Sequence, residues 1–120
     1  MIQYEVLTDL IDIKTSDKKT LLHDLVEMFI AKTPHRLIEL NTAISNKDKN
    51  QIALIAHTLK ASCAYLGLAE MTSLCIELEK IGQAKEPFNA KTTQVWMSAL
   101  EESYDEAVAE LNGYILKVFH

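Results

Sequence analysis

Hydrophobic residues recur at helical spacing along almost the whole chain. The first group, Val6, Leu7, Leu10 and Ile11, forms a short stripe that ends near Lys14 and is followed by a polar turn. Apolar residues three and four positions apart lie on one face of a helix, so this stripe predicts a short N-terminal helix. We expect that helix to cover one end of a helical bundle.

A second apolar stripe predicts a longer helix that begins after Asp17, a residue suited to capping a helix N-terminus. Pro34 interrupts this stripe, because proline lacks an amide donor and crowds the preceding turn. The helix therefore either kinks at Pro34 or gives way to a new helix that Thr33 caps, with Pro34 at its first position. The predicted buried positions are Leu21, Leu22, Leu25, Met28 and Phe29 before the proline and Leu37, Leu40 and Ile44 after it.

Three further helices are predicted beyond this point. One spans residues 50–66, with Gly67 as a left-handed stop, and the next spans about 69–82 and ends at Gly82. A long last helix begins near Thr92, after a loop that holds the second proline. The stripe of the 69–82 helix consists of Met71, Leu74, Cys75, Leu78 and Ile81, and that of the last helix of Trp96, Leu100, Tyr104, Ala107, Leu111 and Ile115.

These elements predict an all-α fold. Short connections favour antiparallel packing of consecutive helices, so the simplest arrangement is an up-and-down antiparallel four-helix bundle with an additional short N-terminal helix. The 120 residues fit one domain that spans residues 1–120. Only three glycines and two prolines occur, too few turn residues for an all-β sandwich or barrel. The positions of the glycines also exclude a glycine-rich nucleotide-binding loop.

The charge balance and the apolar runs exclude several classes of partner. With 12 basic against 17 acidic residues the formal net charge is −5, which argues against nucleic-acid binding. The N-terminal residues lack the features of a signal peptide, and no apolar run approaches the roughly 18 residues of a membrane span. We expect the protein to be cytoplasmic and monomeric, with no membrane contact. The start at Met1 and the absence of a linker favour a free-standing protein.

The helix predicted at residues 50–66 carries more apolar surface than one core requires. His57 lies opposite its core face, which consists of Ile52, Ile55, Leu59, Cys63 and Leu66. A solvent face usually carries Glu, Lys and Gln, yet the neighbours of His57 and Lys60 there are Ala53, Leu54, Ala61 and Ala64. Either another helix buries this side as well, or the side is a docking patch around a reactive histidine.

The second interpretation has a chemical basis. Histidine is often neutral near neutral pH, and a neutral imidazole offers one unprotonated nitrogen as a nucleophile. Lys60, three residues after His57, can supply positive charge to an anionic group placed on that nitrogen. Histidine and lysine at this spacing are common by chance, so the pair alone indicates little.

The surrounding sequence is more specific. The run AHTLKASCAYLGL, followed by EMTSLCIELEK, resembles the histidine-containing phosphotransfer (HPt) domain, with its approximate A-H-x-L-K-G-x-x-x-x-L-G signature and downstream L-C-x-x-L-E pattern. The spacing of Leu25, Phe29 and Pro34 also matches the family. The resemblance implies that His57 is the phosphorylated histidine, that Lys60 neutralises the phosphoryl charge and that Glu79 orients the imidazole. The family's glycine after the lysine is Ala61 here.

The resemblance also implies a function. It identifies the chain as a phosphocarrier of a multistep two-component phosphorelay, in which His57 passes a phosphoryl group between receiver-domain aspartates. The expected partners are response-regulator receiver domains and a hybrid sensor histidine kinase. The protein should need no cofactor of its own, with Mg²⁺ held by the receiver. The alternative is a non-catalytic HPt-like bundle that binds a receiver without phosphotransfer. The predicted docking residues are Ala53, Leu54, Ala61, Ala64 and Leu68.

Other candidate chemistry is weaker. His23 with Glu27 and His35 with Glu39 are pairs at i and i+4 that could each offer two metal ligands, but no third ligand is evident for either. Both pairs therefore indicate solvated helix faces. The two cysteines, Cys63 and Cys75, lie on core stripes without C-x-x-C spacing and are predicted to be buried free thiols.

Overall fold

The structure, a computed structural model, describes residues 18–119, and these residues form four α-helices. We label them α1 (Lys18–Ser45), α2 (Lys49–Tyr65), α3 (Ala69–Gln83) and α4 (Ala90–Phe119). The prediction of an all-α helical bundle is confirmed. The predicted N-terminal helix and the predicted cap Asp17 lie outside the described residues.

Each helix packs against its neighbours in sequence, and α4 returns to pack against α1. The contacts between α2 and α3 run in opposite directions along the two helices. The ammonium of Lys49, at the start of α2, donates to the carbonyl of Ala84 just after the end of α3, while His57 and Lys60 contact Glu79. The two helices are therefore antiparallel, as the short connection between them predicts. The side chains completely buried between the helices include Leu40, Ile52, Leu59, Leu78, Met97, Leu100 and Leu111.

The ends of α2 are fixed by local hydrogen bonds. The Asp48 carboxylate accepts from the amide of Gln51 at 3.2 Å and so caps the first turn. At the other end Gly67 has a φ of 72°, and the amides of Gly67 and Leu68 donate to the carbonyls of Ala64 and Cys63. This pair of bonds is the Schellman motif, so the predicted left-handed stop at Gly67 is confirmed.

Pro34 lies inside α1, which continues without a break from Lys18 to Ser45. The alternative of a new helix starting at Pro34 is therefore wrong. Because Pro34 has no amide hydrogen, the carbonyl of Ile30 loses its usual partner one turn later. The Tyr104 hydroxyl from α4 donates to this carbonyl at 3.2 Å, and the Tyr104 ring lies 5.8 Å from that of Phe29. The α1–α4 packing thus provides the hydrogen bond that the proline removes.

We expect Tyr104→Phe to lower the free energy of unfolding by about 1 kcal/mol, because the Ile30 carbonyl would lose its donor while the ring packing stays. Chemical denaturation measures this loss. In a Pro34→Ala background, where residue 34 regains an amide, the same substitution should cost less. Tyr65→Phe, at an exposed tyrosine, is the control and should change stability by less than about 0.5 kcal/mol. Equal losses for Tyr104→Phe in both backgrounds would contradict this role.

The structure shifts several predicted helix boundaries by one or two residues, and α2 spans Lys49–Tyr65 rather than 50–66. Helix α4 begins at Ala90 rather than near Thr92, and the Asn89 side chain accepts from the amide of Thr92 at 3.0 Å. Helix α3 does not end at Gly82 but continues through it to Gln83. A Cβ atom on Gly82 would lie 2.6 Å from both the Ala53 amide nitrogen and the Lys49 carbonyl oxygen. Gly82 is therefore a point of close approach between α3 and α2 rather than a helix stop.

The core also differs from the predicted stripes at a few positions. Met28 is exposed and Val26 is buried in its place, because the buried face of α1 is rotated from the predicted one. On α4, Trp96 and Ile115 are only partly buried, whereas Met97 is completely buried. Cys63 and Cys75 are buried free thiols, as predicted. None of the helices described between residues 18 and 119 is long and apolar enough to cross a membrane.

Candidate functional site

His57 extends from the side of α2 that faces away from the core. All five predicted core residues of this helix are buried, whereas the His57 side chain is 62% exposed. The alternative in which another helix buries the histidine is therefore wrong for this side chain. Ala56, next to His57, is also buried, although the predicted apolar stripe does not include it.

Helix α3 brings a carboxylate to the histidine. Glu79 Oε2 lies 2.7 Å from His57 Nδ1, and Lys60 Nζ donates to Glu79 Oε1 at 2.6 Å. The Glu79 side chain is only 12% exposed, so the carboxylate lies mostly between the two helices. Gly82 follows Glu79 by three residues on the same helix face, and its missing side chain lets α3 approach α2 closely. The structure thus brings together the three predicted residues, His57 and Lys60 from α2 and Glu79 from α3.

The electrostatics of this cluster determine where the proton lies. The hydrogen bond from Lys60 holds the pKa of Glu79 below its ordinary value, burial opposes this effect, and the contact with His57 adds to the lowering. An ionised carboxylate can only accept hydrogen bonds, so in the neutral imidazole Nδ1 carries the hydrogen. Nε2 then has a free lone pair on the opposite edge of the ring, and the exposed ring presents a nucleophilic nitrogen to a partner.

The lowered pKa of Glu79 predicts a pH-dependent contribution to stability. Since folding favours the ionised form, this contribution is present above the ordinary value of 4.5 and is lost as pH falls toward the lowered folded-state pKa. We expect the difference in unfolding free energy between the wild type and Glu79→Gln to shrink as pH is lowered through this range. Denaturation series at matched pH values measure it. A difference that is constant with pH would contradict the charge–charge stabilisation of Glu79.

Four of the five predicted docking residues reach the surface, and the fifth is buried. Leu54, Ala61 and Ala64 are exposed on the His57 side of α2, and Ala53 is half-buried. Leu68 is only 2% exposed, so its assignment to the docking surface is corrected. The Leu68 amide donates a hydrogen bond to the carbonyl of Cys63 and so closes the Schellman motif. The Leu68 side chain lies in the core, where it cannot contact a partner.

The apolar surface extends further than the sequence analysis predicts. Tyr65 and Met28 are exposed large side chains beside a groove between α1 and α2, which Ala61 also lines. Lys32 and Arg36 lie along the same groove. Tyr65 follows Ala61 by four residues, so helical spacing could have placed it on this surface. Met28 was missed because its hydrophobicity alone assigns it to a core stripe.

The two histidine–glutamate pairs outside this cluster remain surface features. His35 Nε2 lies 3.3 Å from a carboxylate oxygen of Glu39, and both side chains are solvent-accessible. Near His23 and Glu27 the structure shows a third possible metal ligand that the sequence analysis does not identify. Asp24 contributes an oxygen, and the three ligand atoms lie within 4.8 Å of one another. Both acids are exposed, and exposed acidic clusters are common without a metal, so a solvated face still explains this group.

Comparison with known proteins identifies the family. The model of the Hpt domain matches residues 24–111, most of the chain, so the chain belongs to the Hpt domain family. Hpt domains are phosphocarrier modules, and a phosphotransfer role follows from this membership. Over 85 residues the chain is 24% identical to multistep phosphorelay regulator 1 of Schizosaccharomyces pombe, strain 972. The matched region is 71% of this chain but only 29% of that protein, so the chain spans less than a third of this relative.

Proposed function

We propose that this protein relays a phosphoryl group between the aspartates of receiver domains, with His57 as the intermediate carrier. In the first step the lone pair of Nε2 attacks the phosphorus of an aspartyl phosphate. The P–Nε2 bond forms, the bond to the aspartate oxygen breaks, and the carboxylate leaves with its electron pair. The second step reverses these changes at the aspartate of another receiver. The family membership and the name of the S. pombe relative support a role of this kind.

The contact between Glu79 and Nδ1 is the observation that carries this proposal. At 2.7 Å the carboxylate fixes the protonated nitrogen on the side of α3, so the other nitrogen is free to attack. It also balances the positive charge that the imidazole gains when Nε2 bonds to phosphorus. A histidine that served only as a surface residue would not need a partly buried acceptor on a second helix.

The charge of the transferred group needs partners on both proteins. We expect the receiver's Mg²⁺ to bind the phosphoryl oxygens on one side and Lys60 to supply positive charge on the other. No cofactor of the protein's own is part of this mechanism, and the phosphoryl group comes from a receiver rather than from a nucleotide. The receiver that donates it would belong to a hybrid sensor histidine kinase, and a response regulator would accept it.

The apolar residues around His57 that reach solvent form the proposed docking surface, which we define as half-buried Ala53 and exposed Leu54, Ala61 and Ala64, with Met28 and Tyr65 at its edge. An apolar patch around a reactive centre suits a transient interface that excludes water during transfer. Lys32 and Arg36 along the adjoining groove would attract the acidic surroundings of a receiver's phosphorylation site.

Transfer from phosphorylated receivers tests this function. Receiver domains from the same organism would be phosphorylated with acetyl phosphate, freed of the small donor and mixed with the protein. We expect acid-labile phosphate to appear on the protein with at least one receiver and to leave when a second, unphosphorylated receiver is added. If receivers bind but no phosphate appears with any of them, the non-catalytic interaction bundle replaces this function. The methyl group of Ala61, where the family has glycine, is the observation that favours that alternative.

The docking surface makes a separate prediction. Leu54→Glu should weaken receiver binding by more than tenfold, about 1.4 kcal/mol, because a charge would be buried against an apolar partner surface. The matched control is Val95→Glu on α4, since Leu54 is 59% and Val95 67% exposed. Calorimetric titration of each variant with one receiver measures the difference. If Leu54→Glu binds the receiver normally, or if Val95→Glu weakens binding equally, the interface lies elsewhere on the protein.

A further inference from the structure

The lysine of the site is already engaged before any phosphoryl group arrives. Glu79 uses both of its oxygens, one for Nδ1 of His57 and the other for the ammonium of Lys60, at 2.7 and 2.6 Å. Imidazole has its nitrogens on different edges of the ring, and the edge that faces Glu79 is the one that does not react. The ammonium is therefore bound on the unreactive side of the histidine, whereas a phosphoryl group would be attached at Nε2.

We propose that Glu79 holds Lys60 in the resting protein and releases it to the phosphoryl group on His57, so that Glu79 is a positioning residue that limits how strongly Lys60 stabilises phosphohistidine. This inference rests on the proposed function of His57. The Glu79 carboxylate would make two contacts that last for different parts of the cycle. The contact with Nδ1 persists through the cycle, and the contact with Lys60 is made only when the histidine is unphosphorylated.

The position of Lys60 allows this exchange. The lysine lies three residues after His57 on α2, so the two side chains extend from the same face of the helix. Its side chain is 30% exposed, and its four-carbon stem has rotatable bonds that can turn the ammonium from one edge of the imidazole to the other. Glu79 is mostly covered and bound to His57 by its second oxygen, so the lysine is the member of the cluster that can move.

The charges favour the exchange but also make it costly. A phosphoryl group carries about two negative charges near neutral pH and attracts an ammonium more strongly than one carboxylate does. When Lys60 leaves, however, Glu79 loses its positive partner while a second anion lies nearby. The carboxylate therefore competes with the phosphoryl group for the same cation. Removing its charge should make Lys60 fully available.

The first experiment follows Lys60 directly. His57 would be phosphorylated with phosphoramidate, which forms the P–N bond with loss of ammonia and needs no receiver. Proton–nitrogen NMR spectra of the lysine ammonium groups would be recorded before and after, with Lys60→Ala to assign the signal and His57→Gln to show that the change depends on this histidine. We expect phosphorylation to shift the Lys60 signal. In Glu79→Gln the signal should broaden by exchange with water in the resting protein and sharpen after phosphorylation. A Lys60 signal that phosphorylation leaves unchanged would overturn the proposal.

The second experiment measures the consequence for transfer. Gln can still accept from Nδ1 but forms no ion pair, so Glu79→Gln should raise the equilibrium share of phosphoryl on His57, relative to the receiver, by about fivefold. In a Lys60→Ala background the same change should give no gain, because it then removes only the negative charge that balances the phosphorylated imidazole. Equal gains in both backgrounds would show that Glu79 acts only on the imidazole and would overturn the exchange. If no receiver phosphorylates the wild type while phosphoramidate still shifts the Lys60 signal, the relay function fails and the exchange is supported.

Discussion

Replacing His57 with glutamine is expected to abolish phosphoryl acceptance while leaving the helical fold intact. Glutamine has no nitrogen that can act as a nucleophile, and the acidic partner of His35, Glu39, lies on the same helix as that histidine rather than on a second one. Because the His57 side chain is 62% exposed, its removal should change the unfolding free energy by less than about 0.5 kcal/mol. Acid-labile phosphate after incubation with a phosphorylated receiver measures acceptance, and circular dichroism with denaturation measures the fold.

Two outcomes would contradict this prediction in different ways. Continued phosphorylation of His57→Gln would place the carrier residue elsewhere in the chain. Loss of several kcal/mol of stability would show that His57 contributes to packing, and the reactive interpretation would lose its structural basis. His35→Gln is the matched control, because His35 is also exposed on a helix and its acidic neighbour, Glu39, lies on that same helix. It should accept phosphate like the wild type.

The prediction of α2 succeeded because its signals are local. A dense apolar stripe defines the buried face, and the Gly67 turn depends only on the residues that follow one another there. The position of His57 opposite that face follows from the same periodicity. These features need no knowledge of the other helices, which is why the sequence alone predicts the exposed side of the site.

Contacts between helices were less accessible to sequence reasoning. Periodicity does not show which residue of α3 reaches His57, so the pairing with Glu79 was inferred from the family resemblance. The predictions of a helix stop at Gly82 and of an exposed Leu68 are wrong for the same physical reason. A glycine near the end of a stripe and a leucine after a helix stop each have an obvious local interpretation, but the neighbouring backbone and the core decide their environment. Met28 was assigned to the core by hydrophobicity, whereas packing buries Val26.

The close approach at Gly82 leads to the largest stability effect that we expect. Alanine is the better helix former by about 1 kcal/mol, so Gly82→Ala inside α3 would stabilise the protein if space allowed. The added Cβ would instead lie 2.6 Å from two backbone atoms of α2, at Lys49 and Ala53, and 2.8 Å from the Ala53 Cβ. Backbone atoms of a helix cannot move aside separately. We expect α3 to be displaced and the free energy of unfolding to fall by about 3 kcal/mol.

Gly113→Ala on α4 is the matched control, because a Cβ atom there would lie more than 4 Å from every described atom outside the adjoining residues and the local helix backbone. It should raise the unfolding free energy by up to about 1 kcal/mol, so the two substitutions should differ in sign. The displacement at Gly82 should also move Glu79, one turn earlier on α3, away from His57 and slow phosphoryl transfer even where the variant is folded. Chemical denaturation of both variants, with transfer kinetics at a temperature where both are folded, measures these effects. If Gly82→Ala were as stable as Gly113→Ala, the helices would have room to separate, and the Glu79–His57 contact would not depend on the spacing that glycine permits.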